Sequence, residues 1–151
     1  MAKKRPNEKV IRNRRAKFDY DLGDSFVVGV ALSGRETKSL RLGHGQLQGA
    51  YVTVKDDELY LINASIHGTK GIPINDDEVT RSRKLLAKRR EIDQIIAAKK
   101  QGKAIVPTEI MTKGRYIKVR ISLGAGKKHT DKRQTIKKRE DDRNIRREFK
   151  K

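Results

Sequence analysis

The 151-residue chain has no cysteine, which removes disulfides and thiolate metal sites from consideration. That absence agrees with a reducing cytosol. No apolar run approaches the roughly 20 residues that a bilayer-spanning helix needs. The basic start is not followed by the apolar stretch of a secretory signal, and neither end has the greasy face of a membrane-surface helix. A cytoplasmic protein without membrane contact is expected. Hydrophobic residues make up only 34% of the chain. That suits one compact middle of roughly 110 residues with polar ends.

What the chain does have is positive charge, unevenly spread: 38 Lys and Arg stand against 19 Asp and Glu, a net of +19. Residues 1–17 carry eight cations and one Glu, and residues 127–151 carry twelve cations and five carboxylates. The two ends therefore hold 14 of the 19 excess charges. Such arms repel one another and stay solvated unless a polyanion neutralises them. Nucleic acid is the first candidate, because Lys and Arg on phosphates release condensed counterions. The expected organisation is a basic arm at 1–17, a folded domain at 18–126 and a basic tail at 127–151.

Periodicity fills in the middle. Residues 26–32 (FVVGVAL) read as a buried strand. Ser33 and Glu36 have capping-box spacing and open a short helix that stops at Gly43. Residues 50–55 and 58–63 alternate about Asp56-Asp57 as a hairpin. Asn75 and Glu78 repeat the capping-box spacing, and a long helix is expected over 79–100, ending at Gly102. Residues 104–111 and 116–123 are two further strands, turned at Lys113-Gly114. Gly124-Ala125-Gly126 reads as a flexible exit into the tail. It lacks the glycine spacing and the Ser or Thr of a P-loop. The sum is a mainly β chain with helices. The oligonucleotide-binding type of closed antiparallel β-barrel, with flanking helices, is the natural architecture, since closure removes sheet edges.

Three patterns carry chemistry. On the last strand Ile117, Val119, Ile121 and Leu123 point one way, and Tyr116, Lys118, Arg120 and Ser122 the other. The second face offers a ring and two cations, which suits base stacking and phosphate binding; an ordinary solvated face is the alternative. On the predicted long helix Leu85, Ile92 and Ile96 share a stripe, and Leu86 lies off it. Arg83 and Lys84 help make that helix strongly basic, either for RNA or for solvent. In the tail only Ile145 and Phe149 share a face, so the tail is expected to be disordered when free and helical on a partner. Catalysis finds little support: His44, His67 and His129 are isolated. The acidic turns Asp56-Asp57-Glu58 and Asp76-Asp77-Glu78 are the sole invitation to a metal-dependent nuclease. No cofactor or metal is expected.

Taken together, these segments resemble the SsrA-binding protein family, also called small protein B. The resemblance rests on NRRAKFDY at 13–20, SGRETKSLRLG at 33–43, AYVTV at 50–54 and TRSRKLLAKRREID at 80–93. VP at 106–107, KGRYIKVRISLGAGKK at 113–128 and DKR at 131–133 complete it, in that order and spacing. It implies a non-enzymatic, oligonucleotide-binding-type barrel that binds the tRNA-like domain of transfer-messenger RNA. The family escorts that RNA into ribosomes stalled on truncated messages, with the tail helical in the empty message channel and in contact with the decoding centre of the small subunit. A monomer is expected.

By the same resemblance Leu86 and Lys118 fall on RNA-contacting positions. Asn13, Arg14, Arg15, Lys38, Arg83, Lys84, Tyr116 and Arg120 complete the expected RNA-binding set. Gly126, Lys127, Lys128, His129, Asp131, Lys132, Arg133, Lys137, Lys138, Arg139 and Phe149 form the expected decoding-centre and tail set. The chain departs from the family pattern in four places. Val27 stands where an acidic RNA contact is usual, and Thr130, with His129 before it, where a His or Tyr is usual. Glu78-Val79 replaces Asp-Pro, and Glu148-Phe149 replaces an apolar pair. The runner-up function is a structural, ribosome-associated RNA-binding protein without selectivity for transfer-messenger RNA.

Overall fold

The computed structural model describes residues 10–127 and the helical backbone from 129 to 149. In chain order the elements are β1 (Val10–Arg12), α1 (Ala16–Asp19), β2 (Tyr20–Val30), α2 (Gly34–Arg41), β3 (Gly45–Gln46), β4 (Tyr51–Lys55) and β5 (Glu58–Ile62). There follow β6 (Ser65–Ile66), α3 (Asp76–Val79), β7 (Arg83–Leu86), α4 (Arg89–Lys100), β8 (Ala104–Met111), β9 (Lys118–Gly126) and α5 (His129–Phe149). Seven strands form one antiparallel sheet in the order β1-β8-β9-β2-β7-β5-β4, and β3 pairs separately with β6. The chain is mainly β with helices, as its pattern predicts, and the described residues hold five of them.

Alternation drives the core. Val28 on β2, Val119 and Ile121 on β9, Leu85 on β7, and Leu59 and Leu61 on β5 point inward and are buried. Ile92 and Ile95 of α4 and Leu40 of α2 cover them. Burying each large aliphatic side chain contributes about 1.5–3 kcal/mol. The capping box at α2 forms: Glu36 N–H donates to Ser33 Oγ at 3.2 Å, and Ser33 N–H donates to Glu36 Oε1 at 2.9 Å. In the β4–β5 hairpin Asp56 and Asp57 both take left-handed conformations, φ 52° and 60°. A two-residue turn matched to strand twist needs that geometry, and Asp tolerates it.

Several expectations are corrected. The long helix over 79–100 does not form as one element: α3 ends at Val79, and the strand β7 and the helix α4 follow. Along Arg83–Leu86 burial alternates in, out, in, out, the period of a strand, and β7 inserts between β2 and β5 with ladder partners on both sides. Local helix propensity in RKLLAKRR yields to that pairing. Leu85 thus belongs to a strand, while Ile92, Ile95 and Ala98 make the buried stripe of α4. The second capping box does not form, because Asn75 precedes α3 without a side-chain bond.

The closed barrel is also not formed. β1 occupies the free edge of β8 from Glu109 to Met111, which leaves only its first residues to face β4. There Tyr51, Val52 and Thr53 meet Ala104, Ile105 and Val106 across a cleft of about 210 Å³ without a ladder. Gly124-Ala125-Gly126 is no flexible exit but the paired end of β9, opposite Leu22, Asp21 and Tyr20. A Cβ on Gly124 would stand 3.1 Å from the Asp21 carbonyl oxygen and 3.2 Å from Tyr20 Cβ, so close strand packing favours glycine there. Ser122, expected outward, is buried. Residues 10–17 of the basic arm join the folded body through β1 and α1, with Ile11 and Ala16 buried.

Candidate nucleic-acid interface

The antiparallel register lines residues up in rows across the outer surface of the sheet. In one row Gly29 of β2 lies between Leu86 of β7 and Lys118 of β9. Leu86 and Lys118 point outward because their neighbours Leu85 and Val119 point into the core. Leu86 is 56% exposed and Tyr116, two residues before β9, is 68% exposed. Large apolar groups so placed have no packing role. Leu86, Gly29, Lys118 and Tyr116 line one cleft of about 380 Å³ together with Arg115 and Thr37. Lys84, two residues before Leu86, is exposed on the same face. Leu86 thus converges with Tyr116 and Lys118, although it lies 32 residues before Lys118 in sequence.

The next row runs Arg12, Glu109, Arg120, Val27 across four strands. Arg120 Nη1 lies 2.8 Å from Glu109 Oε1, and Arg12 Nε lies 3.9 Å from Glu109 Oε2. Arg120 therefore faces outward but shares its charge with a carboxylate. Val27, 44% exposed, adds an apolar spot to the same surface.

Arg83 is a different matter. It is fully buried and its guanidinium is spent inside the protein. Nε donates to Glu36 at 2.6 Å, Nη1 to the Ala64 and Arg81 carbonyls, and Nη2 to the Glu78 and Val79 carbonyls. Arg83 is a structural residue, so its expected RNA contact is withdrawn. Period-2 alternation turns Arg83 inward and Lys84 outward, which a helical reading could not separate. Arg81 also pairs with Glu36. Burial acts to raise the Glu36 pKa, but hydrogen bonds from Arg81, the Ser33 backbone and Arg83 outweigh it and hold the carboxyl below its ordinary value. Burial draws the Arg83 pKa down against the pull of Glu36, and a guanidinium keeps its charge regardless.

A second surface gathers the N-terminal motif. Asn13 Nδ2 donates to the Pro107 carbonyl at 2.9 Å, while its Oδ1 is buried without a partner. Asn13, Arg14 and Arg15 line a groove of about 720 Å³ with Phe18, Ile136 and Arg139. The Phe18 ring is flanked by two guanidinium carbons, Arg15 at 4.7 Å and Arg139 at 5.9 Å from its centroid. Cation–π attraction of this kind ties one turn of α5 to α1. The tail leaves the body where Gly126 ends β9 and the Lys127 N–H donates to the Asp19 carbonyl at 2.9 Å. Arg133, Lys137 and Lys138 are exposed on α5, and Lys38 is exposed on α2. Lys128 and the side chains of His129, Asp131, Lys132 and Phe149 lie outside the described residues.

Sequence reasoning missed Gly29, Arg115 and Phe18. Arg115 had a signal, being next to Tyr116; the others become visible only through register and packing. Among the described residues no group of three or more His, Asp or Glu is close enough together to hold a metal ion. No helix among them is long and apolar enough to cross a membrane.

The family model described as SmpB protein matches residues 10–151. This chain belongs to the SmpB family. SsrA-binding protein of Oenococcus oeni is 42% identical over 142 residues, covering 93% of this chain and 92% of that protein. SsrA-binding protein of Trichormus variabilis is 41% identical over 154 residues, covering 99% of both. A solved chain, from work described as "tmRNA-SmpB: a journey to the center of the bacterial ribosome", aligns with a TM-score of 0.66 at 35% identity. It covers 80% of this chain and 85% of that one.

Proposed function

We propose that this protein is a non-catalytic, cytoplasmic adaptor. It binds the tRNA-like domain of transfer-messenger RNA and delivers it to stalled ribosomes for trans-translation. Membership of the SmpB family is the observation that carries this reading. The outer face of the sheet supports it with the parts such binding needs: an exposed leucine, an exposed tyrosine and unpaired lysines held in fixed rows. The curved sheet serves as the working equivalent of an oligonucleotide-binding-type barrel, with its seam open between β4 and β8. It recognises folded RNA by shape and by phosphate neutralisation, through Leu86, Lys118, Tyr116 and Lys84, with Arg120 alongside.

Asn13, Arg14, Arg15 and Lys38 add positive charge at the margins. The tail, from Gly126 through the Asp131-Lys132-Arg133 motif to Phe149, serves the decoding centre and the message channel. The protein acts as a monomer. Lys118→Ala and Leu86→Asp are expected to weaken binding to transfer-messenger RNA while the far-ultraviolet spectrum and melting temperature stay at wild-type values. Wild-type affinity in both variants would contradict the assigned face.

A further inference from the structure

A cleft of about 470 Å³ lies between the N-terminal corner, the sheet and the tail helix. Five of its lining residues are cations, drawn from three separate stretches of chain. Arg12, Arg14 and Lys17 come from the corner, Arg120 from β9 and Arg139 from α5. The one carboxylate in the lining is that of Glu109, and both its oxygens are engaged. Oε1 lies 2.8 Å from Arg120 Nη1 and Oε2 lies 3.9 Å from Arg12 Nε. Arg14, Lys17 and Arg139 have no carboxylate partner among the described residues. Like charges gathered in a cleft repel one another, and the field they focus there favours entry of an anion.

The hollow has irregular strands on both sides of β9. The register of β2 against β9 shifts between Leu22 and Ser25, and that of β8 against β9 shifts between Pro107 and Glu109, where Thr108 is the extra residue. Bulges bend strands and re-aim side chains. The bulge in β8 is also the anchor of the corner. The Asn13 N–H donates to the Thr108 carbonyl at 2.7 Å, and Asn13 Nδ2 donates to that of Pro107 at 2.9 Å. Those two bonds fix the turn into α1 that carries Arg14 and Lys17. From the other side Arg139 is brought in by Phe18, whose ring Arg15 also approaches. Asp19 lies 3.5 Å from Arg15 and offsets its charge, which lets a second guanidinium come near the ring. Arg139 lines this cleft and the neighbouring groove of about 720 Å³ alike.

Five cations against one carboxylate leave four excess positive charges in the lining, and guanidinium forks match the oxygens of a phosphate group. We infer that this cleft binds a phosphate-type polyanion, and that its occupancy bridges the N-terminal corner to Arg139 and fastens α5 to the body. The site uses none of Leu86, Lys118 and Tyr116, so it goes beyond the adaptor reading. A free pyrophosphate-type anion and a backbone phosphate of a bound RNA present the same chemistry to it.

The test uses the full chain and inorganic pyrophosphate at low salt, with sodium chloride of equal ionic strength as the control. Binding is read by calorimetry, and the state of the tail by hydrogen exchange of the amides at 133–140. Pyrophosphate is expected to bind wild-type protein and to slow exchange over those amides, and chloride to do neither. The double variant Arg14→Ala, Lys17→Ala is expected to weaken binding at least about tenfold, the worth of one lost charge-assisted hydrogen bond. Glu109→Gln removes the competing carboxylate and should tighten binding about threefold. Arg139→Ala should keep part of the binding and lose the slowing of exchange. Arg14, Lys17 and Arg139 are exposed, so these variants fold. Lys118→Ala should bind pyrophosphate as wild type does.

Equal pyrophosphate affinity in wild type and in the Arg14→Ala, Lys17→Ala variant would overturn the site. Binding with no slowing of exchange in α5 would overturn the bridge. A second arm repeats the titration on the preformed complex with the tRNA-like domain of transfer-messenger RNA. Pyrophosphate excluded from that complex assigns the bridging phosphate to the RNA backbone, and undiminished binding assigns it to a free anion. If the protein shows no selectivity for this RNA while pyrophosphate still binds and slows exchange, the adaptor reading falls and the anion site stands.

Discussion

The outer sheet face and the tail helix are both basic, yet they are held in opposite ways. On the sheet, Lys118 and Leu86 have their directions fixed by ladder partners and by buried neighbours on either side. Glu36 ties α2 to Arg83 of β7 and to Arg81 just before that strand. On α5 Arg133, Lys137, Lys138 and Ile145 are exposed. Among the described cation–π contacts of α5, the grip on the body is that of Arg139 on Phe18. A pre-organised face loses little freedom when it binds, whereas a helix with few contacts to the body can be remodelled by whatever surrounds it. The proposed division of labour, in which the sheet holds the RNA and the tail reads the ribosome, rests on this difference.

The sharpest way to break that comparison is to remove the tail. Deletion of everything after Arg133 should leave affinity for transfer-messenger RNA near wild type and abolish tagging of stalled products in a reconstituted translation assay. Normal tagging by that truncation would refute the division. A second strong effect is expected inside the body. Arg83→Leu strands part of a buried ion pair and should cost about 3–5 kcal/mol of stability, measured by urea unfolding. An unchanged midpoint would mean that β7 is held by packing alone.

A subtler test uses pH. The folded pKa of Glu36 lies below its ordinary value of 4.5. Its contribution to stability is therefore complete above about pH 4.5 and is lost as pH falls through the folded pKa. Acid unfolding followed by circular dichroism should show this loss, and Glu36→Gln should flatten that part of the curve. The smallest effect belongs to the tail contact. Arg139→Ala should raise proteolytic sensitivity within α5 by an amount matching about 0.5–1 kcal/mol, the worth of one exposed cation–π contact. Body stability should stay the same.

The sequence made the local devices readable. Ser33 with Glu36 announced the α2 cap, Asp56-Asp57 announced a hairpin, and the alternation of Ile117, Val119 and Ile121 identified β9 and the outward Lys118. It did not reveal β7, whose four residues are good helix formers recruited as a strand by partners distant in sequence. The same error placed Arg83 on a surface, since only period-2 alternation separates it from Lys84. Glu36 was readable as a cap but not as the partner of Arg81 and Arg83, because that role needs residues some 45 positions away brought alongside. Leu86 was singled out for being off a helical stripe. It is exposed for another reason, as the outward residue of a strand.

The most direct test of the adaptor reading is binding to transfer-messenger RNA in competition with excess bulk tRNA at near-physiological salt. Non-specific binding driven by the net charge of +19 should collapse under both stresses. Retained tight binding is the result predicted for a face that recognises the folded tRNA-like domain. Equal displacement by bulk tRNA would contradict it and leave a generic basic RNA binder.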